Sequence, residues 1–176
     1  MQPTFTANIQ SIAKQICSEN GLPEPKDIEE ASVLVLTHIL TTVQERSNHL
    51  PVEGRIHDAD AVIGAIFLCF IATPFILHLK NEGIELSIND VILRSGLAVY
   101  QFLDSERASA VIIKGMEQYR DLIEAGEEMK NVMDYTNTLH DGLFGYIMSR
   151  DEKLLDVLHD LYSALIDAQE NQQESE

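Results

Sequence analysis

Seventeen consecutive residues, Ala61 to Leu77, carry no charge in a chain whose charged residues otherwise make up 23% of the total. A segment apolar on every side must either span a bilayer or be surrounded by protein. A span needs about 20 apolar residues, so this run lies at the short edge. Asp58 and Asp60 stand at its start, and Lys80 and Glu82 follow its end, with no positive bias on either side. Thr73 and Pro74 fall inside it, and the remaining chain has enough amphipathic segments to wrap it. The expectation is therefore a buried central helix, from about 58 to 80, and no membrane partner. Met1–Asn20 is amphipathic and lacks a basic start and a small-residue cleavage site, so the expected location is cytoplasmic.

Helical periodicity repeats along the whole sequence, and no stretch alternates over strand length. The first helix runs from about Thr4 to Asn20, with Phe5, Ile9, Ile12 and Ile16 inward and Gly21 as its stop. Pro23 and Pro25 fix a turn, and a second helix spans about Asp27 to Ser47. Its Ala31–Val43 stretch holds no charge other than a protonated His38, so it too should be largely buried. Pro51 and Gly54 mark a loop over 48–57, after which Asp58 is expected to cap the central helix and Pro74 to kink it.

Ser87 with Asp90 resembles a capping box for a fourth helix that buries Ile88, Val91, Ile92, Ser95, Val99 and Phe102. Asp104 or Ser105 opens a fifth, with Ala108, Ile112, Met116, Tyr119 and Ile123 inward. A sixth spans about 127–148, with Val132, Leu139, Leu143, Tyr146 and Ile147 on one face. Ser149 with Glu152 predicts the cap of a seventh, which carries Leu154, Leu155, Leu158, Leu161, Tyr162 and Leu165. The pattern predicts an all-α, single-domain bundle of about seven helices over residues 1–168, followed by a polar frayed tail at 169–176.

The net charge of −17 is uneven: residues 1–80 hold 9 acids against 5 bases, and residues 81–176 hold 20 against 7. Such a field repels nucleic acid and attracts cationic partners. Glu117, Asp121, Glu124 and Glu128 fall at i, i+4, i+7 and i+11, on one face of the fifth helix and its exit. Like charges at that spacing cost a few tenths of a kcal/mol each, and Lys114 and Arg120 relieve only part of it. These four acids are the expected contact for a basic protein partner.

Three His-Asp pairs, at 57–58, 140–141 and 159–160, invite a metal reading. The order His38, His57–Asp58, then Asp134 or Asp141, follows that of helical HD-type phosphohydrolases, in which such ligands hold a metal that activates water. The expected capping task of Asp58 weighs against it. Glu45/His49 and Glu53/His57 are spaced i, i+4 rather than the Glu-x-x-His of helical di-metal sites, so neither a metal nor another cofactor is expected. Cys17 and Cys69 read as buried thiols, and no nucleophile elbow, P-loop or dinucleotide fingerprint occurs. His38, Cys69, Thr73 and His78 are candidates to line a pocket beside Pro74.

The leading expectation is a non-enzymatic acidic interaction protein, a regulator, adaptor, chaperone or inhibitor. The alternatives are an HD-like metal-dependent phosphohydrolase and a small-ligand sensor with its pocket near Pro74. The oligomeric state is open, with a homodimer as the default for a small helical domain.

Overall fold

Most helices begin where a short polar side chain can satisfy their first free N–H groups. The computed structural model describes residues 4–47, 57–101, 103–126 and 130–174, with the backbone alone described at 125–126, 130–137 and 169–174. Among these residues the chain forms seven α-helices, one 3-10 turn and no strand. They are α1 (Phe5–Glu19), α2 (Ile28–Arg46), α3 (Asp58–Asn81), α4 (Ile88–Val99), α5 (Ser105–Gly126), α6 (Lys130–Ser149), the 3-10 turn Glu152–Leu154, and α7 (Leu155–Glu174).

Thr4, Asp27 and Ser87 cap α1, α2 and α4, accepting the N–H of Ala7, Glu30 and Asp90 at 3.0, 2.8 and 3.4 Å. Asp104 does the same for α5, accepting from Arg107 at 2.8 Å. Each such cap stabilises its helix by about 1 kcal/mol. Two expected caps are corrected. His57 occupies the cap position of α3 and makes no side-chain cap bond. Asp58 lies in the first turn, where a negative charge suits the helix dipole. Its Oδ1 accepts from Arg107 Nε at 2.8 Å and pairs with Nη2 at 2.6 Å, fastening the start of α3 to the start of α5. At the far end, Asp151 rather than Ser149 caps the 3-10 turn, accepting from Lys153 at 3.1 Å. The Ser149 hydroxyl instead turns back to donate to the Gly145 carbonyl at 2.7 Å.

α3 is the axis of the bundle and touches all six other helices. Ile63, Phe67, Phe70 and Ile71 are buried, as is every residue from Ala61 to Ala72. The helix has the length and hydropathy of a membrane span, yet 83% of its most apolar window is covered by the other helices. It runs unbroken through Pro74, whose ring leaves the Phe70 carbonyl without its N–H partner. Its uncharged run is not covered to the end: Leu77 is 52% exposed.

The second helix follows expectation, with every residue of Ala31–Val43 buried or half-buried. On α4, Val91, Ile92, Ser95 and Val99 are buried while Ile88 is only partly so. The backbone of α7 is helical to Glu174, through most of the polar C-terminal stretch.

The core also holds a polar cluster. Gln44 Nε2 donates to the Tyr100 and Tyr162 hydroxyls at 3.3 and 3.5 Å, and all three side chains are buried. Gly64 makes room for it, because an added Cβ would overlap the Tyr100 hydroxyl. A mid-helix glycine costs about 1 kcal/mol relative to alanine, and this close approach is the reason for one here.

The loop at 48–56 with His49, Glu53 and Pro51, the residue Phe102, the side chains of Val132 and Asp134, and Glu128 lie outside the described residues.

Candidate functional site

α5 is a two-sided helix. Its inner side packs on α3 at Gly115, where an added Cβ would overlap that of Ala65. Its outer side exposes Glu117, Asp121 and Glu124. Among the described residues none of these carboxylates has an ion-pair partner, although Arg120 stands among them. Ile113 and Leu122, 51% and 37% exposed, lie on the same helix. Ile113 stands one turn before Glu117 and shares the acidic face, whereas Leu122 lies about 100° or more around the helix from each of the three acids. An apolar side chain beside unneutralised charge is a more specific surface than acids alone, since a partner gains by covering both.

Between α3, α4 and the second half of α5 lies a half-open cavity of about 380 Å³. Cys69 and Thr73, one turn apart, form its α3 wall, and Met116, Tyr119 and Ile123 its α5 wall. Arg120 and Glu124 also border it, so Glu124 belongs both to the acidic row and to the cavity.

The Thr73 hydroxyl donates to the Cys69 carbonyl at 2.8 Å, which uses its only proton. At 3.3 Å from Thr73 Oγ1, Tyr119 is therefore the donor of that pair, and its oxygen keeps acceptor capacity. Burial pushes the Tyr119 phenol up from its ordinary value. Burial also pushes the Cys69 thiol up, to about 12, so it stays protonated and a poor nucleophile. The described wall thus offers apolar surface and hydrogen bonds rather than an activated attacking group.

Of the four residues expected to share one pocket, the structure brings two together. Cys69 and Thr73 line the cavity just described, while His38 opens onto a different one formed by α1, α2 and the α6–α7 corner. Burial lowers the pKa of His38, against the opposing pull of Glu19 and Glu152.

His78 is packed among rings at the C-terminal end of α3, 4.9 Å from Phe5 and 4.6 Å from both His140 and Phe144. Burial and then the neighbouring His140 lower its pKa, with Glu82 opposing. Glu82 in turn accepts hydrogen bonds from the N–H groups of Phe5 and Thr6 and from the Thr6 hydroxyl, at 2.9, 2.9 and 2.7 Å. The end of α3 thereby holds the start of α1.

The His-Asp pairs stay local: His140 and Asp141 approach to 3.5 Å, and His159 and Asp160 to 3.9 Å. Among the described residues no three His, Cys, Asp or Glu side chains group closely enough to hold a metal ion. Ile88, Ile92, Tyr119 and Arg120 at the cavity carry no sequence signal beyond helix periodicity, because three helices must converge before they meet. No protein-family model, curated protein or solved structure matches the chain.

Proposed function

We propose that the chain is a non-enzymatic binding protein that engages a basic, amphipathic segment of a partner protein along α5. The observation that carries this reading is the placement of Glu124 in both the acidic row and the cavity wall. A partner segment would seat one apolar side chain between Tyr119, Met116 and Ile123 and lay its lysines or arginines over Glu117, Asp121 and Glu124. A buried anchor inside a charged rim is the division of labour that interfaces use: the anchor gives affinity, and the charges give on-rate and register.

A partner obtained by co-purification with the full chain tests it. Association should slow as salt rises toward physiological strength, where the screening length is about 8 Å. It should also slow in Asp121→Lys/Glu124→Lys, while Met116→Trp, which fills the cavity, should speed dissociation. Association and dissociation unmoved by both variants would refute the proposal.

The Thr73–Tyr119 hydroxyl pair favours a second reading, a sensor whose small ligand occupies the same cavity and donates a hydrogen bond to the Tyr119 oxygen. Such a ligand would raise the melting temperature of the purified protein by itself, and Tyr119→Phe would remove that shift. No observation among the described residues favours the metal-dependent phosphohydrolase.

A further inference from the structure

The cavity beside His38, about 260 Å³ in volume, shares no residue with the α5 site. Its polar wall consists of Gln15 and Glu19 from α1, His38 from α2, Tyr146 from α6, and Arg150 and Glu152 from the turn that follows. Arg150 is the one described non-glycine residue with a positive φ, at 60°, a conformation that an L side chain adopts at a cost. That backbone turn directs its guanidinium back across α1. There Nη1 donates to Gln15 Oε1 at 2.6 Å and Nη2 donates to Ser11 Oγ at 2.6 Å. The other end of the Gln15 amide donates from Nε2 to Glu19 Oε1 at 3.0 Å.

A guanidinium and two carboxylates border this cavity. Glu152 pairs with Arg46 at 3.8 Å, whereas Arg150 and Glu19 are each bonded to the same neutral amide instead of to each other. Among the described residues neither has an ion-pair partner. Opposite charges free to move would normally close into a bidentate pair. Here the single amide spans the gap by accepting from the guanidinium and donating to the carboxylate, the same pairing that the carboxylate and ammonium of an α-amino acid, joined through one carbon, would offer.

Ile12 and Ile16 give the same cavity an apolar side. The His38 imidazole and the Tyr146 hydroxyl have no hydrogen-bond partner among the described residues and are available to a guest. At about 30 Å³ for each water-sized group, the volume holds about eight or nine of them, the size of a mid-sized amino acid.

We infer that this cavity is a recognition site for a free α-amino acid, with Glu19 taking the ammonium, Arg150 the carboxylate, and Ile12 and Ile16 the side chain. Guanidinium and carboxylate both keep unused donors and acceptors after their bonds to Gln15, so a guest joins them without displacing it.

The test is calorimetric titration of the full chain with each standard L-amino acid in turn. For every amino acid that binds, the amine lacking its carboxylate and the acid lacking its amine are titrated alongside. At least one amino acid should bind saturably, and both of its halves should bind at least about tenfold more weakly. Arg150→Gly, which suits the positive φ, and Glu19→Gln, on the exposed surface of α1, should each weaken binding about tenfold or more with the circular dichroism spectrum unchanged. Three results would overturn the assignment: no amino acid binding, either half binding as tightly as the whole, or affinity unmoved in Glu19→Gln.

Discussion

α3 and α5 form the most extensive helix pair of the described bundle, yet they follow opposite rules. Among the described residues α3 meets every other helix and its central run is apolar on all sides, whereas α5 meets only α3, α4 and α6 and keeps a charged outer face. The number of neighbours a helix has is thus written in the width of its apolar surface, because each covered face excludes unpaired charge. The face that α5 leaves uncovered is the one on which the proposed partner would sit. The contrast also separates residues that hold the fold from residues free to serve binding.

The sharpest break of that contrast is a charge inside α3. Ile71→Asp places a carboxylate where no exposure remains, and an unpaired buried charge costs several kcal/mol out of a total stability of about 5–15 kcal/mol. Loss of cooperative unfolding and of soluble yield is expected. A normal melting temperature for this variant would show that α3 is not the core.

The seam between the two helices gives the next largest effect. Gly115→Ala gains about 1 kcal/mol of helix propensity but drives a methyl group into Ala65, and overpacking costs about 1–3 kcal/mol. A lower urea midpoint is expected, with recovery in Gly115→Ala/Ala65→Gly. A strictly additive pair would mean that the two sites do not touch.

At the polar end of α3 the effect is pH-dependent and smaller. The folded pKa of His78 lies below its ordinary 6.5, so the unfolded chain binds more protons in that range. Its contribution is complete above about pH 6.5 and is lost as pH falls through the folded value. Phe5, Phe144, His140 and Glu82 face it, and the carboxylate is the one group opposing the shift. His38 acts in the same direction, because burial lowers its pKa too.

Glu82 acts at lower pH. Desolvation pushes its carboxyl up, but the hydrogen bonds from Thr6 and Phe5 outweigh that and hold it below its ordinary 4.5. Its contribution is present above about pH 4.5 and lost on further acidification. Thermal melts of His78→Phe should show a flatter slope between about pH 5 and 7 than the parent, and Glu82→Gln a flatter slope below about pH 4.5. An unchanged slope in His78→Phe would place the sensitivity elsewhere.

The smallest effect on the fold belongs to the outer face of α5. Asp121→Lys/Glu124→Lys should change stability by no more than about 0.5 kcal/mol, since exposed substitutions rarely do more. Chemical denaturation reads this directly, and a larger loss would mean that these acids hold the fold together rather than stand ready for a partner.

Much of the scaffold was legible in the residues. The uncharged run named α3, and the expected starts near Thr4, Asp27, Ser87 and Asp104 or Ser105 fall where Thr4, Asp27, Ser87 and Asp104 cap their helices, because a cap needs only its own next three residues. Asp58 misled for the same local reason: it has the chemistry of a cap, but Arg107, 49 positions away, claims its carboxylate. The pocket expected from His38, Cys69, Thr73 and His78 rested on shared apolar surroundings. Such surroundings do not say which side of a helix faces which neighbour. Only Cys69 and Thr73, one turn apart on a single helix, were bound to meet.

The sequence alone determined what depends on neighbours along the chain: helix after helix, a core helix without charge, an acidic row at helical spacing on α5. The tertiary structure decided everything that needs two or more helices at once. It set Gly115 against Ala65 and gathered Thr73, Tyr119 and Glu124 around one cavity. It also folded Arg150 back to share Gln15 with Glu19. The physical reason is range: capping and periodicity act over three or four residues, whereas a site is made where side chains far apart in sequence are packed together.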